Sequence, residues 1–529
     1  AYTVTEGKPA AIKDREKALG EFEVVDQEPR TTHLFVVTVA TKAVRQLTKG
    51  RFVVGAFDWS PDSTAIAYDH RVSADPAMGG TANLAVVTVA DGTMRDLVTQ
   101  DGPDSRPIWS PDGTRIAFQS AMKNPNYFYT NSRIAVVPAA GGAVESLSDG
   151  FDEDPSLVAW KANGLYFSAS AHTYSYLYRL DPGTHAVTKL SHRDQVVASA
   201  FSVSADGSRA AWLGADAASM AEVQVAATAD LAAGNPGPRG AMSMKTLTRF
   251  NNQTFAWSKG TVEVVSWKSQ DGAAIEGILH KPDGFDPARK YPLLVVIHGG
   301  PTGVSRAVPY TSATYPIDVW VPRGVLVLEP NYRGSAGYGE AFRALNVRNL
   351  GVGDAWDVLS GVDSLVAKGF VDAGAVGVMG WSQGGYISAF LATHDAARFK
   401  AISVGAGISD WMTYYVNTDI HPFTRQYLKA TPWDDPEIYA KTSPITYIRQ
   451  AKTPVLIQHG ATDQRVPLPN AYELYQGLQD VGVPVKLIVY QGFGGIGHGP
   501  SKPRSHRATM THNLDWFDER MPVTAAAKP

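Results

Sequence analysis

Short apolar, β-branched runs bounded by turn residues fill the first half of the chain. Residues 34–39, 84–89 and 134–137 are examples, reading Leu-Phe-Val-Val-Thr-Val, Leu-Ala-Val-Val-Thr-Val and Ile-Ala-Val-Val. A turn sequence recurs between such runs. Phe57-Asp58-Trp59-Ser60-Pro61-Asp62-Ser63 returns as Pro107-Ile108-Trp109-Ser110-Pro111-Asp112-Gly113, then in altered form as Val158-Ala159-Trp160-Lys161-Ala162-Asn163-Gly164 and Phe201-Ser202-Val203-Ser204-Ala205-Asp206-Gly207, at steps of 50, 51 and 43 residues. Each unit reads as two hairpins, and four strands per unit at a period of about 40 to 50 residues predict a β-propeller. Four units are clear and 221–257 is expected to supply a fifth, making about five blades.

Beyond about residue 256 the pattern changes. Apolar runs at 293–297, 375–379, 454–458 and 485–490 alternate with helical periodicity at 354–368, 471–480 and 507–520. This predicts a mainly parallel sheet covered by helices. The glycine-rich stretch 234–240 reads as a loop late in the repeats, and the boundary falls near Ser258-Lys259-Gly260, giving domains 1–257 and 258–529.

The second domain carries the chemistry. Gly380-Trp381-Ser382-Gln383-Gly384 follows an apolar strand and precedes a helix, the setting of a nucleophile elbow in an α/β-hydrolase. The bare motif is weak, so its partners decide. Asp463 follows the strand at 454–458 and His498 follows the strand at 485–490, in the order Ser, Asp, His at separations of 81 and 35 residues. Loops after parallel strands gather on one edge, so the three can meet. His498 would take the Ser382 proton and Asp463 would hold the imidazole. The strand 293–297 ends in His298-Gly299-Gly300-Pro301, where small residues let main-chain N–H groups approach a developing oxyanion. Gly300 and Gln383 are the expected donors.

At 529 residues the chain is long enough for two or more domains. A formal net charge of −3, without a long basic run, points away from nucleic acid and from an anionic membrane surface. Apolar runs stop short of the roughly 20 residues of a membrane span. No signal peptide is visible, but the start at Ala1 rather than Met leaves a removed leader open, and with it both cytoplasm and export. Cysteine is absent, which excludes disulfides, thiolate metal sites and a cysteine nucleophile. No metal-ligand spacing appears and no cofactor is implied.

Taken in order, these motifs resemble the prolyl oligopeptidase family of serine peptidases, nearest its acylaminoacyl-peptidase and bacterial dipeptidyl-peptidase-like branch. Alongside those quoted, Asn331-Tyr332-Arg333-Gly334-Ser335-Ala336-Gly337-Tyr338-Gly339, His459-Gly460-Ala461-Thr462-Asp463 with Val466-Pro467, and Gly497-His498-Gly499 carry the resemblance. It implies an active site between propeller and hydrolase domain, a short peptide substrate cleaved near its N-terminus, and frequent assembly into homo-oligomers. By the same resemblance Ile408, Trp411, Tyr414 and Val466, with Tyr386 adjoining, would form an apolar pocket beside the scissile bond, although plain core packing fits these side chains too. Arg465 would hydrogen-bond a substrate carbonyl. Glu21, Glu23, Asp26 and Glu28 form an acidic cluster that could hold a free amine or lie on a solvated face.

Three features depart from the family pattern. His298 stands where some branches have a tyrosine, so a main-chain oxyanion hole is expected. The loop 492–497 is longer than usual, and about five blades are fewer than seven or eight. An open propeller would admit bulkier esters or amides. A carboxylesterase using the same triad and a non-catalytic propeller-based binding protein are the alternative functions.

Overall fold

The computed structural model describes every residue except Glu23, 25–29, 192–193, 233–243, 310–313 and 522–529. The loop 234–240 and three of the four acidic-cluster residues, Glu23, Asp26 and Glu28, lie outside the described residues, while Glu21 is exposed.

Residues 53–246 form four consecutive four-stranded antiparallel meanders. The first runs through Val53–Trp59, Ala65–Arg71, Asn83–Thr88 and Met94–Val98. The others span 104–146, 156–190 and 197–246. The recurring turn sequence joins the first two strands of a unit, and its chemistry is local. Ser60 Oγ donates to Asp62 Oδ1 at 2.6 Å and accepts from the Ala65 N–H at 2.9 Å. Ser110 with Asp112 and Ser204 with Asp206 repeat this bond at the same 2.6 Å. The serine hydroxyls and neighbouring amides hold the Asp112 and Asp206 carboxyls down to about 2.

The fifth unit is not at 221–257. Those residues supply the third and fourth strands of the 197–246 meander, Ser219–Ala227 and Lys245–Thr246. The additional unit is three-stranded and amino-terminal, built from Tyr2–Thr5, Thr32–Val37 and Val44–Gln46. It has no Trp-Ser-Pro-Asp turn to announce it, and the helix Ala10–Leu19 interrupts its strand pattern.

From Thr261 onward one eight-stranded sheet dominates, in the order Thr261–Lys268, Ala274–Lys281, Leu326–Asn331, Tyr291–Ile297, Val371–Trp381, Ala401–Gly405, Val455–Gly460, Val485–Tyr490. The first two strands pair antiparallel and the other six run parallel. Both faces are covered, as a parallel sheet requires. Along Tyr291–Ile297 the side chains divide with period two: Leu293, Val295 and Ile297 enter one core, with Val358 and Leu365 of the helix Gly353–Ala367, while Leu294 and Val296 enter the other, with Trp516 and Phe517 of the helix Pro503–Arg520.

The 104–146 and 156–190 meanders dock on loops of the eight-stranded sheet. Glu153 accepts from the Gly337 and Gly339 N–H groups at 3.0 and 3.1 Å, and the His172 N–H donates to the Gly337 carbonyl at 2.7 Å. Arg343 donates to Asn131 at 2.6 Å, and Phe128 packs edge-on to Phe423.

Candidate active site

Ser382 stands between the strand Val371–Trp381 and the helix Gln383–His394, with φ 61° and ψ −122°. A side chain in this backbone region is strained and persists only where its surroundings hold it. Here the Ser382 N–H donates to the Gly405 carbonyl and its own carbonyl accepts from the Tyr386 N–H, both at 2.9 Å. The flanking glycines follow from the tightness of the turn. A Cβ on Gly380 would lie 2.3 Å from the Gly384 carbonyl carbon, and one on Gly384 would lie 2.0 Å from the Ile297 carbonyl oxygen.

The two later strands deliver the partners. His498 Nε2 lies 2.8 Å from Ser382 Oγ, and His498 Nδ1 lies 2.8 Å from Asp463 Oδ2. The carboxylate is fully buried, and its Oδ1 accepts the N–H groups of Arg465 and Val466 at 2.9 and 3.0 Å. In this arrangement the imidazole can take the hydroxyl proton while the carboxylate stabilises the resulting cation. The long loop before His498 is pinned rather than loose. Trp381 Nε1 donates to the His498 carbonyl at 2.7 Å, the Gln464 N–H donates to the Ile496 carbonyl, and Phe493 stacks on Tyr490.

Across the elbow the His298-Gly299-Gly300 turn presses on the nucleophile. A Cβ on Gly299 would lie 3.2 Å from Ser382 Cβ. Gln383 opens its helix, where the first N–H groups have no partner within the helix and the dipole favours negative charge. The turn is braced by the 331–335 motif, whose purpose composition could not disclose. Tyr332 stacks on His298 and donates its hydroxyl to the His298 carbonyl at 2.9 Å, while Asn331 exchanges two hydrogen bonds with the Ser305 main chain. Arg333 forms a buried fork with Asp357 and reaches Asp271. Burial lowers the His298 pKa to about 4, so the imidazole at the tyrosine position is neutral at physiological pH.

A cleft of about 750 Å³ opens over these groups. Its walls include Trp381, Ser382, His298, His498, Arg306 and Glu329, and Val197 of the last meander faces it from the amino-terminal half. Glu329 is paired with His280 at 2.7 Å. Ile408, Trp411, Tyr414 and Val466 do not line this cleft. They are at most 3% exposed and belong to the core behind the elbow, where Tyr386 packs edge-on to Trp411 and both donate to the Thr442 carbonyl. Arg465 is also not among the cleft walls, since its guanidinium pairs with Asp419 at 2.7 Å while its main chain orients Asp463. The braces from Trp381 and Tyr332 lay inside quoted motifs but carried no sequence signal of their role, and Arg306 and Glu329 carried no signal at all. Among the described residues no group of three or more His, Asp or Glu could hold a metal.

A sheet of this order, with a serine at the elbow hydrogen-bonded to a histidine and through it to an aspartate on later loops, has the architecture of an α/β-hydrolase. Residues 311–523 match the model of the prolyl oligopeptidase family. Among curated proteins it is 30% identical over 264 residues to the uncharacterized peptidase YuxL of Bacillus subtilis, covering 49% of this chain and 39% of that one. It is 32% identical over 240 residues to acylamino-acid-releasing enzyme 1 of Oryza sativa, covering 44% and 30%. It is 28% identical over 227 residues to dipeptidyl-peptidase 5 of Porphyromonas gingivalis, covering 42% and 33%. The matches thus span between 30% and 39% of these relatives' length. Among solved structures, an acylaminoacyl peptidase of Pyrococcus horikoshii superposes with TM-score 0.77 at 23% identity, over 94% of this chain and 75% of that one, which shows a shared fold.

Proposed function

We propose that the chain is a serine peptidase that hydrolyses short peptides near the N-terminus, of dipeptidyl- or acylaminoacyl-peptidase type. Ser382 attacks the carbonyl, His498 takes and returns the proton, and Asp463 holds the imidazole while an acyl-enzyme forms and is hydrolysed. The main-chain N–H groups of Gly300 and Gln383 receive the oxyanion. The observation that carries this reading is the unbroken path from Ser382 Oγ through His498 to buried Asp463, with both links at 2.8 Å. The relatives' printed names, acylamino-acid-releasing enzyme and dipeptidyl-peptidase 5, support the substrate class. In the same reading residues 1–257 form a propeller sector of four four-stranded blades and one three-stranded blade, residues 258–529 form the catalytic domain, and substrate enters the cleft between them.

The test compares a free dipeptidyl anilide, an acetyl-aminoacyl anilide and a short-chain nitrophenyl ester, using wild type and Ser382→Ala. Anilide turnover lost in the variant supports the peptidase, and the preferred anilide tells whether the amine must be free or blocked. Turnover of the ester alone would replace the reading with a carboxylesterase.

A further inference from the structure

Arg306 is a cation that the proposed chemistry does not use. It follows the glycine turn, lines the cleft that holds Ser382, and is half-buried. Its guanidinium is held from the other domain, with Nη1 donating to the Tyr174 carbonyl at 2.7 Å and Nη2 to Ser170 Oγ at 2.8 Å. Both acceptors are neutral. A guanidinium has five N–H donors, so among the described residues three remain after these two bonds. Among the described residues no carboxylate pairs with it, and Glu329, which lines the same cleft, is bonded to His280. Burial lowers the Arg306 pKa. A positive charge kept in this state is unfavourable until an anion reaches it.

The position of the cleft says which part of a substrate would do so. His498 returns its proton to the departing nitrogen, so the leaving fragment lies on the His498 side of Ser382. The cleft extends from His298 and Gly299 across Ser382 to His498, Gly499 and Pro500, so it includes that side. A leaving fragment one or two residues long carries its α-carboxylate close to the scissile bond, and a planar carboxylate is the natural partner of an arginine fork.

We propose that Arg306 binds the C-terminal α-carboxylate of the leaving fragment and so selects very short peptides with a free C-terminus. This rests on the peptidase reading above. The guanidinium is aimed by Ser170 and the Tyr174 carbonyl, so the amino-terminal half sets this preference through a residue of the hydrolase half.

The experiment uses acetylalanyl-alanine and glycyl-prolyl-alanine, each as the free acid and as the carboxamide, with the anilides run in parallel. Wild type is expected to favour the acid over the amide by roughly 10- to 100-fold in kcat/KM, mostly through KM, as suits one charged hydrogen-bonded contact. In Arg306→Met that ratio is expected to fall to about one, and in Arg306→Lys to be partly kept. Because acid and amide are compared within each protein, a loss of folded enzyme does not alter the ratio. Equal kcat/KM for acid and amide in wild type, or a ratio that survives Arg306→Met, overturns the proposal. Failure to hydrolyse any peptide or anilide, with no labelling of Ser382 by a fluorophosphonate, refutes the peptidase reading and this inference with it.

Discussion

Asp463→Asn isolates one link of the site, and the structure fixes how the new amide must sit. In wild type Oδ1 accepts two main-chain N–H groups, and His498 Nδ1 lies 2.8 Å from Oδ2 and 3.1 Å from Oδ1. An asparagine that keeps its oxygen toward Arg465 and Val466 turns its NH2 toward His498. The reverse orientation sets an NH2 against two buried donors, at about 1–3 kcal/mol for each unsatisfied group, which leaves it a minor population. The NH2 then takes the shorter of the two contacts to His498 Nδ1 and favours the tautomer in which Nδ1 accepts and the proton sits on Nε2, the nitrogen that should take the Ser382 proton. The expected loss is roughly 10³- to 10⁴-fold in kcat, or about 4–5.5 kcal/mol of barrier, with little change in fold or KM. The assay is steady-state anilide hydrolysis together with the rate of fluorophosphonate labelling of Ser382, and both should fall in parallel. A loss smaller than about tenfold in a folded variant would refute the assignment of His498 and Asp463.

Gly384→Ala places a methyl 2.0 Å from the Ile297 carbonyl oxygen, so thermal unfolding should show about 1–3 kcal/mol of destabilisation or more and the serine should no longer label. Asp354, buried on the helix Gly353–Ala367, is pushed up to about 7 by burial, then by neighbouring Asp357, with Arg333 opposing. The native state therefore keeps a proton that the unfolded chain releases near pH 4, and stability should fall as pH rises from about 4 to 7, by a few kcal/mol. In Asp354→Asn the oxygen that accepts the Ala355 N–H remains, so urea midpoints should rise relative to wild type at pH 8 and match it near pH 4; an unchanged difference across that range would discount the buried proton.

How far the sequence could be read depended on the range over which each residue acts. The elbow was legible because its glycines answer to contacts within the turn and with the adjacent strand, and the strand ends bearing Asp463 and His498 followed from local apolar runs. The Trp-Ser-Pro-Asp turns were legible for the same reason, since Ser60 and Asp62 complete their bond two residues apart. The aromatic stripe was not. Trp411 and Tyr414 have the composition of a pocket and of a core alike, and only the packing of Tyr386 and Thr442 against Trp411 distinguishes the two. The amino-terminal three-stranded unit escaped because its first strand, Tyr2–Thr5, is exposed throughout and so lacks a buried face to set its period. Arg306 stood beside a recognised motif, but its partners lie more than 130 residues earlier in the chain.

The serine–aspartate turns have a bearing on how the molecule comes apart. Each closes its hairpin with bonds between residues two to five apart, and the Trp109 N–H that reaches back to Asp58 links one meander only to the next. Such an array opens in sections, with hydrogen-exchange protection graded along it from its outermost unit. The eight-stranded sheet, whose parallel pairs join strands far apart in sequence, is expected to open as one cooperative block. The two halves thus differ in their manner of failure under stress, and the cleft lies along the seam between a segmented body and an indivisible one.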